Sequence, residues 1–477
     1  MDTEEFRTLG HALVDWIARY RGEIERYPVM SQVAPGEVRK RLPAEPPEQG
    51  GGLANVIDDL DRVILPGITH WNHPSFFAYF PSNSDLSSVL ADLVCAGLGA
   101  QAMSWQTSPA ATELEEVVMG WLGQMLGLPP SLTGVIHDTA STATLCALIC
   151  AREKATELGQ NRGGLQEERA PLVVYASDQA HSSVQKGALL AGFGKAHLRL
   201  VASDAAHALS VPALQRSIDE DLAAGRRPCA VVACVGTTAT TALDPIARIA
   251  EVSARHRLWL HVDAALAGTA MICPENRWMW AGVERADSLV LNPHKWMGTG
   301  FDLSAYFVSD PQHLVRVMST DPSYLRTAQD GSVRNLRDWG IPLGRRMRSL
   351  KLWFLLRDRG TEGLRAMVRR DLAHARWLSD RVDQASDWER LAPVPLQTVC
   401  MRHVPEQLRG DEQSLSYHNR AIVERIDRAG RHYLTSAVVK NRLVIRVSIG
   451  AQATELRHVQ ALWESLRETA LRVPGGD

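Results

Sequence analysis

The chain has 477 residues, 45% hydrophobic and 22% charged, enough apolar content for a large core and a length typical of two or three domains. Its net charge is −2, with Lys and Arg spread along the chain rather than clustered, which argues against a nucleic-acid or membrane-surface partner held by bulk charge. The acidic start Met1-Asp2-Thr3-Glu4-Glu5 is unlike a secretory leader, and the seven cysteines include no C-x-x-C pair, so a reduced, cytoplasmic setting without a metal site is expected.

Residues 4 to 27 place Phe6, Leu9, Leu13, Trp16, Ile17 and Tyr20 at helical spacing, predicting an amphipathic helix. The Pro- and Gly-rich stretch from Leu42 to Gly52 reads as an extended connector, and a second helix from Asn55 to Leu65 stops at Pro66-Gly67. This arm, residues 1 to 85, has apolar faces but too little mass to bury them alone. It is expected to pack on the main body or on a second subunit. The uncharged stretch from Leu93 to Thr112 is broken by Gly, Gln, Ser and Pro, which suits a buried helix and loop better than a membrane span.

From 86 to 355 the pattern alternates. Apolar runs such as Leu172-Val173-Val174-Tyr175, Ala230 to Val235 and Ser288-Leu289-Val290-Leu291 are separated by helical stretches. Continuous apolar strands between helices imply a mostly parallel sheet covered on both faces. Cys146 and Cys150, one helical turn apart in an apolar run, read as core thiols. From 356 to 477, helices rich in Arg and Leu precede a strand, Arg442 to Ile449, and predict a smaller α+β domain.

In such sheets ligands gather at the carboxyl ends of the strands, and Asp178, Thr237, Asp263 and Lys295 all fall at such ends. Singly, each has a plainer reading. A lysine after a histidine is usually solvated, and a strand-end Asp often caps a helix or forms a turn. Together they describe a site for pyridoxal phosphate (PLP). Lys295, in Asn292-Pro293-His294-Lys295, would form the Schiff base with the cofactor aldehyde. Asp263, closing the apolar run Leu258 to Val262, would hold the pyridine nitrogen protonated and make the ring an electron sink. The run Asp138 to Thr144 opens an apolar helix, where free backbone N–H groups suit a phosphate. His181, in Asp178-Gln179-Ala180-His181-Ser182-Ser183, follows a strand and is placed to lie over the ring.

Thr69-His70-Trp71, Phe76-Phe77-Ala78-Tyr79-Phe80-Pro81, Ser108-Pro109-Ala110 and Asp178 to Ser183 resemble segments of the aromatic-L-amino-acid decarboxylases, the group II PLP-dependent decarboxylases. So do Trp259 to Ala265, Asn292 to Trp296 and Pro342-Leu343-Gly344-Arg345-Arg346. The similarity runs from the first helix to the last strand. It implies the fold type I architecture of the PLP-dependent transferases: an α/β large domain with a mostly parallel seven-stranded sheet, a small α+β domain and a helical arm exchanged in a homodimer with its active site at the interface.

Position by position, the resemblance makes Lys295, Asp263 and His181 catalytic, with Ala140 and Ser141 on the phosphate and Asn292 and His294 nearby. Thr238 and Ala265 would touch the ring. Trp71, Tyr79, Phe80, Pro81, Ser82 and Gly344 would line the substrate pocket, with Met103 contributed across the dimer. The polar segment Thr320 to Val333 reads as a loop, and Tyr324 matches the family's catalytic tyrosine, which protonates Cα after CO2 leaves.

The resemblance implies decarboxylation of an aromatic L-amino acid, namely tryptophan, 5-hydroxytryptophan, DOPA, tyrosine or phenylalanine, to the arylalkylamine. Glycine at the Gly344 position goes with indole substrates in plant relatives. Leu266, Asp138, Ser82 and Met103 depart from the animal pattern and leave the substrate open. Two alternatives stand beside this reading. Aldehyde synthesis is one, and relatives with that activity tend to replace the loop Tyr by Phe or the stacking His by Asn. A PLP-binding protein without turnover is the other.

Overall fold

The computed structural model of the chain describes residues 1–320 and 329–473. It divides into two compact units, one of residues 1–81, 377–391 and 400–477, the other of residues 82–376 and 392–399.

The larger unit is built on seven strands: β1 (Thr133–His137), β2 (Leu172–Ser177), β3 (Leu198–Val201), β4 (Arg227–Cys234), β5 (Trp259–Asp263), β6 (Ser288–Leu291) and β7 (Ser304–Val308). Their order is β1-β7-β6-β5-β4-β2-β3. Pairs β2·β3, β2·β4, β4·β5 and β5·β6 are parallel, whereas β7 runs antiparallel to both β1 and β6. The carboxyl ends of β1, β2, β4, β5 and β6 therefore share one edge, which is what the runs of uninterrupted Val, Leu and Ile predict for a sheet covered on both faces. Strands β2, β5, β6 and β7 are buried at every position.

Helix Ala140–Ala155 covers one face with Ala143, Cys146, Ala147 and Cys150, in a cluster with Val174, Val232, Val290 and Tyr306. Small residues on the helix let it approach the sheet closely, and each large apolar side chain buried there contributes roughly 1.5–3 kcal/mol. The helix starts five residues before the apolar run at Leu145 because the Thr139 hydroxyl caps the Thr142 amide. Cys146 and Cys150 are core thiols, as expected, and burial pushes the Cys146 thiol up to about 12.

In the smaller unit, helix Thr3–Gly22 is capped by Asp2, which accepts from the amides of Glu4 and Glu5, and none of its residues is buried. A four-stranded sheet, β8 (Trp388–Arg390), β9 (Thr398–His403), β10 (Thr435–Val439) and β11 (Arg442–Ser448), has the order β10-β11-β9-β8. The hairpin between β10 and β11 turns on Lys440 and Asn441, both at positive φ, the two-residue geometry that matches strand twist. Among the described residues no helix is long and apolar enough to cross a membrane.

Candidate active site

Five strand ends bring the chemistry-bearing residues of the larger unit to one edge. Strand β1 leads into Asp138 and the helix start at Ala140 and Ser141, β2 into His181, β4 into Thr237 and Thr238, β5 ends on Asp263, and β6 leads into Asn292, His294 and Lys295. Asp263 is buried, and its Oδ1 accepts the Ala265 amide at 3.0 Å. Among the described residues its carboxylate takes part in no ion pair. An ionised carboxylate held inside a protein calls for a cation or further donors, so its surroundings suit a protonated ring nitrogen.

His181 caps helix Ser182–Leu190. Its Nδ1 accepts the Ser183 amide at 3.1 Å and lies 2.8 Å from Ser183 Oγ, which leaves the ring proton on Nε2. Burial lowers the His181 pKa, the Asp263 carboxylate opposes that fall and Lys295 adds to it. His181, Asp263 and Lys295 thus lie within electrostatic reach of one another, and the imidazole is neutral at pH 7. The cap is local chemistry of the sequence His-Ser-Ser. Its placement beside Asp263 comes from β2, β4 and β5 pairing in parallel.

The lysine turn is laced to the end of β5. The Asn292 amide donates to the Ala265 carbonyl at 2.9 Å and the Ala264 amide to the Val290 carbonyl at 2.9 Å. Ser304 Oγ donates to Asn292 Oδ1 in a short bond, fixing that side chain from β7. His294 accepts the Leu303 amide at Nδ1 (3.0 Å) and lies against Phe301, with ring centres 4.7 Å apart. Burial, helped by Lys295, lowers its pKa to about 4, so it stays neutral. Lys295 itself is only partly buried, and the Asn83 amide donates to its carbonyl at 3.1 Å.

These residues fit PLP on their own geometry. A buried carboxylate that makes no ion pair among the described residues closes β5, and a partly exposed amine follows β6. The amides of Ala140 and Ser141 begin a 16-residue helix, where they have no intrahelical acceptor. Thr238 is exposed, whereas the Thr237 hydroxyl is already engaged with Thr240 (3.2 Å) and the Ala242 amide (3.0 Å). Gly344 is exposed, with its α-carbon close to the Gln101 amide: a methyl there would stand 3.4 Å from Gln101 Nε2. Met103 is half-buried and its carbonyl accepts the Arg337 amide at 2.8 Å. Ser82 is half-buried at the start of the same unit.

Trp71, Tyr79, Phe80 and Pro81 belong to the smaller unit. Trp71 stacks on Tyr79, centres 5.7 Å apart and planes 20° apart, and both rings are exposed. Tyr79 takes φ 46°, a left-handed conformation that costs a bulky residue energy and is found where function or surroundings enforce it. Arg446 holds it there by donating to the Tyr79 carbonyl, with its guanidinium 4.7 Å over the Phe80 ring. Tyr324 lies outside the described residues. Asn83 and Ser304 escape sequence reasoning, since a polar residue in Ser82-Asn83-Ser84-Asp85 carries no local signal of a partner two hundred residues away.

Residues 35–404 match the family model described as the pyridoxal-dependent decarboxylase conserved domain. Phenylacetaldehyde synthase of Arabidopsis thaliana is 41% identical over 98% of this chain and 96% of its own length. Aromatic-L-amino-acid decarboxylase of Bos taurus is 41% identical over 99% of this chain and 97% of its own. The solved structure of Oryza sativa TDC with PLP and tryptamine superposes with a TM-score of 0.96 at 35% identity, covering 99% of both chains. A buried strand-end carboxylate, a lysine turn and this relationship make the chain a PLP-dependent carboxy-lyase, and it belongs to the aromatic-L-amino-acid decarboxylase family of the group II pyridoxal-dependent decarboxylases.

Proposed function

We propose that the enzyme decarboxylates an aromatic L-amino acid to the arylalkylamine and CO2, with an indole side chain preferred. The observation that carries this reading is the convergence of Lys295, Asp263 and His181 on one sheet edge. Bound PLP supplies an electron sink conjugated to the substrate Cα. Lys295 Nζ is the amine that would hold the cofactor aldehyde. The Asp263 carboxylate keeps a proton on the ring nitrogen. His181, fixed by Ser183, would lie over the flat face of the ring. The Tyr324 hydroxyl donates the proton to Cα after CO2 departs, and its loop excludes water and oxygen.

Ala140 and Ser141 take the phosphate, while Asn292 and His294 hold the lysine turn. Thr238 and Ala265 border the ring. Trp71, Tyr79, Phe80, Pro81, Ser82 and Gly344 bound the substrate side chain, with Met103 added by a second subunit. The stacked Trp71 and Tyr79 rings suit an aromatic side chain, and the absence of a side chain at Gly344 leaves width for an indole. The arm of residues 1 to 85, the large domain to 355 and the small domain to 477 form a homodimer in this reading. The outward apolar row Leu86, Leu90, Leu93, Val94 and Leu98 supports it, since each is at least 42% exposed on one 13-residue helix. Seven buried cysteines, none in a disulfide, suit the cytoplasm.

Aldehyde synthesis is the second reading, favoured by the likeness to phenylacetaldehyde synthase and opposed by Tyr324 and His181. CO2, amine and peroxide should be measured together on tryptophan, 5-hydroxytryptophan, DOPA, tyrosine and phenylalanine. Amine equal to CO2, largest for an indole substrate, is expected. Peroxide equal to CO2 would establish aldehyde synthesis instead, and no CO2 from any of the five would leave a PLP-binding protein without turnover.

A further inference from the structure

We infer that Asn83 is a positioning residue for Lys295. The turn Pro293–Met297 closes through the Lys295 amide on the Asn292 carbonyl and the Gly298 amide on the Pro293 carbonyl, both at 2.9 Å. Lys295 leaves helical angles at φ −98° and ψ −110°, which turns its own carbonyl out of that ladder. A carbonyl turned aside in a protein interior needs a donor, and Asn83 Nδ2 meets this one at 3.1 Å from a side chain only 1% exposed.

The residues that follow Asn83 grip the same loop further on. The Asp85 amide donates to the Gly298 carbonyl at 2.9 Å, and Ser88 Oγ accepts the Gly300 amide at 2.7 Å. Lys351 Nζ donates to the Gly300 carbonyl at 3.1 Å and pairs with Asp92 at 3.1 Å. From the other side, Trp296 Nε1 donates to Asp371 at 2.8 Å. The segment 83–92 therefore holds the main chain at 295, 298 and 300, and Asn83 holds the peptide plane from which the Lys295 side chain departs. An amine that releases and recaptures a cofactor in every turnover works fastest when its main chain has one orientation.

The inference rests on Lys295 being the residue that takes PLP, and the test separates the two. Full-length protein freed of cofactor is mixed with PLP, the visible absorbance is followed, and the adduct is trapped with borohydride and mapped. In the wild type the trapped peptide should contain Lys295; a label elsewhere would overturn both the lysine assignment and the inference built on it. With the label on Lys295, Asn83→Ala should slow capture and kcat about tenfold each, with KM changed less than about twofold. Capture and kcat both within about twofold of wild type would overturn the role of Asn83 alone. Asn83→Asp is the second variant, decisive where Asn83→Ala does not fold. Its carboxyl donates to the Lys295 carbonyl only when protonated, so its capture rate relative to wild type should recover as pH falls from about 8 to about 5.5. A ratio that stays flat with pH would overturn the inference.

Discussion

Gly268 sits in the turn after β5, with its amide on the Ala264 carbonyl at 2.8 Å, directly under the last residue of β6. A methyl on Gly268 would lie 2.6 Å from Leu291 Cβ, 3.3 Å from its Cδ1 and 3.4 Å from its Cγ. Ordinary carbon contacts fall near 3.5–4.0 Å, so Gly268→Ala is short of space by about 1 Å. Leu291 is fully buried and the clash is with its Cβ, which no side-chain rotation moves. The main chain must yield, and the neighbouring Asn292 amide is the one bonded to Ala265. The substitution should therefore disturb the join between the end of β5 and the lysine turn. Overpacking of this kind costs about 1–3 kcal/mol, a fall of roughly 2–5 °C in Tm for a unit of about 300 residues. A displacement near 1 Å should also weaken PLP binding and lower kcat by about tenfold to a hundredfold. The comparison is Gly120→Ala in helix Pro109–Leu126, where an added methyl meets nothing within 4 Å and should stabilise by about 0.5–1 kcal/mol. Melting of both proteins with and without PLP, and titration with PLP, measure the effect. A Gly268→Ala protein that melts and binds PLP like wild type would refute the reasoning.

Other substitutions test the site more directly. Lys295→Ala should abolish both the visible absorbance of bound PLP and turnover, and retained turnover would remove Lys295 from its role. Asp263→Asn keeps the shape but not the charge, so PLP should still be captured while kcat falls by about a hundredfold or more, read from amine release. Tyr324→Phe should shift products from amine toward aldehyde with peroxide, seen as a rising ratio of peroxide to CO2. Stability should fall as pH drops below about 6.5. Burial lowers the pKa of His73, His137, His261, His294, His418 and His432 to about 4, so these stay neutral in the fold and take up protons on unfolding. Asp244, Asp371 and Asp427, raised to about 7, 6 and 7, act in the opposite sense, because the fold holds their protons and unfolding releases them. The histidines outnumber them, leaving a net uptake of about three protons on unfolding near pH 5.5. Melting temperatures from pH 7 to pH 4.5 measure this, and a flat profile would contradict it.

The central sheet is legible because β2, β4, β5 and β6 are short apolar runs bounded by helical spacing, and period alone reports double burial. The carboxyl small sheet is less so. Only β11 stands out, because β8 has three residues and β9, Thr-Val-Cys-Met-Arg-His, mixes buried polar with apolar positions. His403 and Arg402 are buried there by partners, Glu412, His418 and Asn419 on one helix and Glu389 on β8, that no local pattern announces. Helix Glu37–Arg41 is five residues long and carries no apolar periodicity to betray it.

Residue types and their order along the chain were enough to determine the chemistry. A strand ending in Asp, a later strand followed by Asn-Pro-His-Lys and a His-Ser-Ser start to a helix each demand particular surroundings, and their shared position at strand ends implies a shared edge. Tertiary structure alone decided how the lysine is held. Its carbonyl orientation, the Asn83 amide that meets it, the Ser304 hydroxyl on Asn292 and the tight approach of Gly268 to Leu291 depend on contacts between segments far apart in the chain. Such contacts follow from the order and direction of strands, and the pattern within any one strand carries no information about them.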